Sequence, residues 1–326
     1  MGIKRAVELL KKHKTYVITS HTNPEGDALG SELALAALLK KLGKNAIIIN
    51  EDDVPVSYQF LPGEEAIKKF RYGPKRQVFF DCLIFIDCSD ARRTGEVYRI
   101  NTGSKPVLNI DHHISNEKFG DVNWVEPHAS SCAEMVYRLY KKMRVPLTSE
   151  AALCLYTGMM SDTGSFRYSN TRSSTHKAVA ELLACGVDTV QVYKNVYENI
   201  PFEDMKLLLK LLPGIHREMD GKIVWFQIPH NLLRNKKLTF DLTEELLSFA
   251  RAIKGIEVCV LFKENLGVVN EVRINLRSQG KADVNKIASL FGGGGHRTAS
   301  GATIHGQIDS VRKRVLAKIR ESLRKI

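Results

Sequence analysis

Asn109-Ile110-Asp111-His112-His113-Ile114-Ser115-Asn116 closes a short apolar run that begins at Val107. Two adjacent histidines behind an aspartate are hard to explain by packing, because their side chains diverge and both are polar. The run before them, Val107–Ile110, reads as a buried strand. Working outward, Tyr16–Ser20, Ala46–Asn50 and Leu83–Asp87 read the same way. Helical patterns fall between and after them at about 3–12, 28–42, 131–142, 150–160 and 174–185. Apolar strands separated by helices imply an α/β fold, a parallel sheet with helices on both faces. Ligands of such sheets bind beyond the carboxyl ends of the strands. Three strand ends deliver metal-type side chains to that edge: His21, Asp87 and the Asp111-His112-His113 triplet.

Further acidic positions join them. The stretch His21-Thr-Asn-Pro-Glu-Gly-Asp27 offers an imidazole and the carboxylates of Glu25 and Asp27, with a helix starting at about Ala28. Asp162 follows an apolar helix and precedes a Thr-Gly-Ser turn. Taken singly, Asp27 also suits a helix cap, and Asp87 and Asp162 suit turns. Together with the histidines they supply enough N/O ligands for two divalent ions, and such a set suits Mn²⁺ or Mg²⁺ better than a thiolate-rich zinc centre. The cysteines are scattered with no CxxC pair and read as reduced core residues.

After residue 213 the pattern becomes α+β: a strand at 222–228, a helix near 242–252, strands near 256–263 and 269–277, a helix at 283–290, then a final strand and helix. We expect domains at 1–188 and 214–326 with a helical linker at 189–213. Within the second, Gly292–Gly295 and His296 form a loop in which backbone amides can approach a phosphate closely. Arg273 and Arg277 sit four apart on one strand face, with Ser278 beside them, and guanidinium forks suit phosphate oxygens.

In these ordered motifs the chain resembles the DHH phosphoesterases that carry a DHHA1 domain, and within them the bifunctional oligoribonuclease and pAp phosphatase group (nanoRNase, NrnA-type). The resemblance spans nearly the whole chain. It implies His21, Glu25 and Asp87 around one Mn²⁺ or Mg²⁺, and Asp27, Asp87, His112 and Asp162 around a second, with Asp87 bridging. It implies His113 as the catalytic contact to the substrate phosphate and Asp111 as the residue orienting the histidines. Arg277, Ser278, Gly293, Gly294, Gly295 and His296 would hold the nucleotide. The family usually has Asp where this chain has Glu25, and the extra methylene implies that the first ion binds more weakly, shifts, or is reached through a water.

The implied activity is hydrolysis of short oligoribonucleotides to mononucleotides and of 3′-phosphoadenosine 5′-phosphate (pAp) to AMP. A phosphodiesterase of cyclic dinucleotides or their linear products, a short single-strand exonuclease, and a non-catalytic RNA-binding protein are the alternatives. With 326 residues, 44% hydrophobic and 26% charged, the chain is an ordinary globular protein, and its +12 net charge fits an anionic partner. The basic C-terminal stretch, with Val311, Val315, Ile319 and Leu323 at four-residue spacing, reads first as an amphipathic helix. No apolar run approaches the roughly 20 residues of a membrane span. Lys11, Lys12 and Lys14 interrupt what a signal peptide would need, so a cytoplasmic location is expected, with no membrane partner and with room for a homodimer.

Overall fold

The computed structural model describes residues 2–71, 78–228, 242–264, 268, 270–279 and 281–325. The first residue of the strand expected at 269–277 and Gly280 lie outside them. The chain divides into two compact units, Met1–Asn199 and Ile200–Ile326.

The first unit opens with α1 (Gly2–Lys12), β1 (Thr15–Thr19), α2 (Gly26–Lys41) and β2 (Asn45–Asn50). It continues with β3 (Lys68–Lys69), β4 (Cys82–Ile86), β5 (Val107–Asp111) and β6 (Val122–Val125). The strands form one parallel sheet in the order β3-β2-β1-β4-β5-β6. The chain therefore builds outward from β1 to one side and then restarts at β4 on the other. The crevice beyond β1 and β4 is the point where the order reverses, the usual ligand position in such sheets.

Helices α3 (Cys132–Met143), α4 (Ser149–Asp162), α5 (Ser173–Ala184) and α6 (Thr189–Tyr197) follow. One sheet face, with Tyr16, Ile18, Ile84 and Ile110, packs into a core shared with these α-helices and with α1 and α2. The alternate residues Val17, Ile49, Leu83 and Phe85 pack on the opposite face with Val97 and Phe119. Among the described residues, that second face is covered by 3₁₀ turns at Ala91–Thr94 and Val97–Ile100 instead of α-helices. The sequence pattern did not separate the two kinds of cover, since both bury the same alternating apolar positions.

The second unit begins with α7 (Phe202–Leu211), β7 (His216–Glu218), β8 (Ile223–Ile228) and α8 (Leu242–Arg251). Then come β9 (Val258–Glu264), β10 (Glu271–Ser278), α9 (Val284–Ser289), β11 (Gly294–Gly295), β12 (Ala299–His305) and α10 (Ile308–Arg324). Its sheet runs β11-β12-β10-β9-β8-β7 and is mixed, β8 and β9 being parallel. Helices α9 and α10 cover one face, and α7 and α8 the other. Val311, Val315 and Ile319 are buried as their spacing requires. No helix among the described residues is long and apolar enough to cross a membrane.

One buried carboxyl stands out beneath the carboxyl edge of the first sheet. Glu32 of α2 is fully buried and accepts from Asn50 Nδ2 at 2.8 Å. Asn50 Oδ1 in turn accepts from the backbone amide of Ser20, next to His21, at 3.1 Å. Burial lifts the Glu32 carboxyl to about 8, against the opposing Asn50 bond. A group raised in the folded state gives its full stability below the unfolded value near 4.5 and loses it as pH climbs towards 8. We therefore expect Glu32→Gln, in chelator-treated protein, to melt near wild type at pH 5 and several degrees above it at pH 8.5. Parallel melting curves at both pH values would refute the buried neutral acid.

Candidate metal centre

Each carboxylate of the centre arrives on a separate element. Asp27 lies in the first turn of α2, Asp87 directly follows β4, Asp111 ends β5, and Asp162 ends α4. Helices α2 and α4 approach closely enough to bring the first and last together because two crossing points are glycine. A Cβ on Gly30 would stand 2.2 Å from the Cys154 carbonyl oxygen, and one on Gly158 would stand 3.3 Å from Asp27 Cα and 3.1 Å from its Oδ1. Asp87 adopts a left-handed backbone (φ 57°), a conformation aspartate tolerates better than most residues and one common at functional sites.

The N-terminus of α3 holds Asp27. Its Oδ2 accepts from Cys132 N at 2.7 Å and its Oδ1 from Ala133 N at 2.8 Å. Amides at a helix N-terminus favour an anion. His112 Nδ1 donates to the Ala129 carbonyl at 3.3 Å, which aims Nε2 at the carboxylates. Around that one nitrogen lie Asp27 Oδ2 at 3.7 Å, Asp87 Oδ1 at 3.6 Å and Asp162 Oδ2 at 3.7 Å. These separations are too long for hydrogen bonds. Ligand atoms around a divalent ion with bonds of about 2.1 Å lie roughly 3.0–3.5 Å apart. A contraction of a few tenths of an ångström makes the cluster a coordination sphere, so these residues fit a divalent cation.

Asp87 faces two ways. Its Oδ1 is turned to His112, and its Oδ2 lies 3.4 Å from His21 Nε2. His21 Nδ1 is 2.8 Å from the Thr22 carbonyl, which fixes that ring as Ala129 fixes His112. Asp111 is fully buried and orients its neighbours: Oδ1 accepts from His112 N at 2.8 Å and from His113 Nδ1 at 2.7 Å, and Oδ2 accepts from Asn116 Nδ2 at 2.6 Å.

Protonation follows from crowding. Burial pushes the Asp27 and Asp162 carboxyls up, and Asp87 beside them adds to it. Burial also raises Asp87, but the imidazoles of His112 and His21, one beside each oxygen, outweigh it and hold Asp87 well below the carboxylate range. Burial likewise opposes ionisation of Asp111, yet the charge of His113 and its hydrogen bond bring it to about 2. Burial disfavours charge on His112, but Asp162, Asp87 and Asp27 raise it well above an ordinary imidazole.

The structure thus brings together Asp27, Asp87, Asp111, His112, His113 and Asp162, with His21 against the other oxygen of Asp87. Glu25 differs from them: it is exposed, at the extended N-cap position of α2. Three neighbours of the centre were not singled out in the sequence. Cys132 Sγ is 3.8 Å from Asp87 Oδ1, its thiol pushed well up by burial and by Asp87. Asn116 and Asn170 hold Asp111 and Asp162, respectively. Asn116 ends the quoted Asn109–Asn116 stretch, whereas Asn170 lies beyond the turn that follows Asp162 and carried no sequence signal.

In the second unit, Arg273 and Arg277 share one face of β10, while Ser278 points to the core face. Ser278 is buried and its hydroxyl donates to the Ala282 carbonyl at 2.8 Å, so it closes a turn of its own domain. Arg277 donates to Glu244 and to the Leu276 carbonyl. Gly294 and Gly295 pair with Gly301 and Ser300, and a Cβ on Gly293 would stand 2.1 Å from the Gly301 oxygen. The amides of Gly292, Gly293 and His296 donate within the chain, to Ser289, Ala288 and Ala299. The glycine run is therefore explained by close strand packing, which leaves its half-buried His296 side chain as the chemically distinctive group of the loop.

Residues 15–159 match the model of the DHH family N-terminal domain, and residues 230–325 match that of the DHHA1 domain. A bifunctional oligoribonuclease and PAP phosphatase NrnA from Thermus thermophilus is 31% identical over 311 residues, covering 94% of this chain and 89% of the relative. One of the same name from Bacillus subtilis is 28% identical, covering 92% of each. The solved structure of an exopolyphosphatase-related protein from Bacteroides fragilis superposes with a TM-score of 0.85 at 27% identity, covering 99% of this chain and 96% of that one. The chain belongs to the DHH family of phosphoesterases, in the group with a C-terminal DHHA1 domain, and is a hydrolytic enzyme.

Because Asp111 accepts three hydrogen bonds and donates none, Asp111→Asn must turn an amide N–H₂ towards a donor. We expect a loss of about 1–3 kcal/mol in unfolding free energy and at least a tenfold fall in kcat with little change in KM. Chemical denaturation and steady-state kinetics read both, and wild-type kcat would remove Asp111 from the orienting role.

Proposed function

We propose that this chain is a two-metal phosphoesterase, using Mn²⁺ or Mg²⁺, that hydrolyses short oligoribonucleotides to mononucleotides and pAp to AMP. The observation that carries the two-metal reading is the double-faced Asp87, with one oxygen towards His112 and the other towards His21. The substrate class is supported by the relatives' names and by the +12 charge.

His21, Asp87 and Glu25 would hold one ion, and Asp27, Asp87, His112 and Asp162 the other. Glu25 would reach in from its exposed position, with the longer side chain or a water spanning the gap. Two divalent ions held there would supply acidification of an attacking water and offset of the phosphoryl charge. The remaining steps belong to the chain. With Nδ1 held by Asp111, His113 meets a phosphate oxygen through Nε2 and stabilises its developing charge. The low-lying Asp111 keeps that ring oriented through the reaction. Residues 1–188 supply this chemistry, 189–213 link, and 214–326 measure the substrate through Arg277 and His296.

Purified protein with Mn²⁺ should release phosphate from pAp and mononucleotide from a labelled dinucleotide, and act more weakly on pyrophosphate and on longer RNA. Asp87→Ala should fall to background on every substrate while remaining folded. His296→Ala should raise KM for nucleotides with bound metal unchanged. No turnover of either nucleotide by wild type, with tight RNA binding retained, would falsify the enzymatic assignment to this substrate class.

A further inference from the structure

Immediately after Asp162 the backbone takes an unusual path. Gly164, Ser165 and Phe166 are consecutively left-handed, with φ of 55°, 58° and 63°. A bulky aromatic residue there is strained and persists only where its surroundings over-determine it. They do so here. Thr163 Oγ1 accepts from Phe166 N at 3.1 Å, and Ser165 N donates to the Met160 carbonyl at 2.8 Å. The Phe166 ring is wedged between Tyr156 and His176, at centroid distances of 5.9 and 5.6 Å. A Cβ on Gly164 would lie 2.1 Å from the Tyr168 ring.

The turn brings Asn170 back onto the residue it left. Asn170 Nδ2 is 3.1 Å from Asp162 Oδ2, 3.1 Å from the Asp162 carbonyl and 2.9 Å from the Ser130 carbonyl. Three acceptors around one amide nitrogen settle which end of the side chain faces them. That orientation has a cost, because Asn170 Oδ1 is then buried with no hydrogen-bond partner among the described residues. The Oδ2 that Asn170 grips is the atom turned to His112 Nε2. Asp162 is also the most exposed carboxylate of the three around that nitrogen, at 21% against 4% and 8%, and so has the least packing to fix its rotamer.

We infer that Asn170 is a positioning residue, and that the left-handed turn at 164–166 exists to present it: its amide locks Asp162 in the rotamer that ligates the metal. The inference rests on the two-metal reading above. Loss of partners that orient a ligand typically weakens metal binding by about 10–100-fold.

The test uses the full chain stripped with EDTA and titrated with Mn²⁺ alone, free ion being counted by its aqueous EPR signal. Asn170→Ala should weaken one class of bound Mn²⁺ by about 10–100-fold. Asp162→Asn should do the same, and the double variant should be no weaker than Asp162→Asn alone, because Asn170 acts through Asp162. Should Asn170→Ala fail to fold, the same cycle is run with Asn170→Ser. Wild-type affinity in the folded Asn170 variant, or a weakening that adds in full on the Asp162→Asn background, overturns the inference while leaving the two-metal reading standing. A wild-type protein that takes up no Mn²⁺ overturns both.

Discussion

The first domain depends on keeping one buried carboxylate, Asp87, charged. Burial alone would protonate it, and like charges on Asp27 and Asp162 press the same way. The imidazoles of His112 and His21, one at each oxygen, reverse that balance. The relief is local, for Asp27 and Asp162 are themselves pushed up. A cluster of acids this close can be ionised together only around cations; without them, protons must occupy the same space. The chemistry of the donor set therefore fits a site built to hold metal ions.

Such a cluster needs a scaffold that does not relax away from the repulsion. Parallel strand order supplies it, since β1 and β4 are central neighbours and the residues after them cannot part without breaking the ladder. The α3 amides give Asp27 a second favourable partner. Glycines at 30 and 158 allow helix approaches that any side chain would prevent. Left-handed backbone occurs at the site itself, at Asp87 and in the 164–166 turn, as is common where geometry is imposed for function.

Much of this was legible in the chain. The strands were found by their apolar runs, and the clustered polar residues at their ends by residue types that packing does not explain. What escaped depended on distance in space. Short β3 and β6 carry too few residues for a period to show, and the 3₁₀ cover of the second sheet face looks in sequence like any buried alternation. Asn116 and Asn170 are ordinary turn residues until the fold sets them against Asp111 and Asp162. Cys132 read as core, correctly for its burial, but its place against Asp87 came from the tertiary fold. Ser278 shows the limit of adjacency in sequence: neighbours in a strand point to opposite faces, so the residue beside Arg277 does not share its surroundings.

The same reasoning constrains how the second domain can recognise a phosphate. Three amides of the glycine loop are already spent on intrachain bonds, so the loop is poorly suited to cradle an anion by backbone alone. Under the proposed function, recognition would then fall on side chains, chiefly Arg277 and His296. Arg277 is already bonded to Glu244, with its side chain 16% exposed. A carboxylate there is a formal competitor to phosphate. Yet a guanidinium has five donors in a rigid plane, and fixing some of them against Glu244 and the Leu276 carbonyl orients the others. A lysine in its place would lose that division, since an ammonium has no fixed plane. Under the proposed function, the ion pair would orient the Arg277 guanidinium plane for phosphate and not silence it.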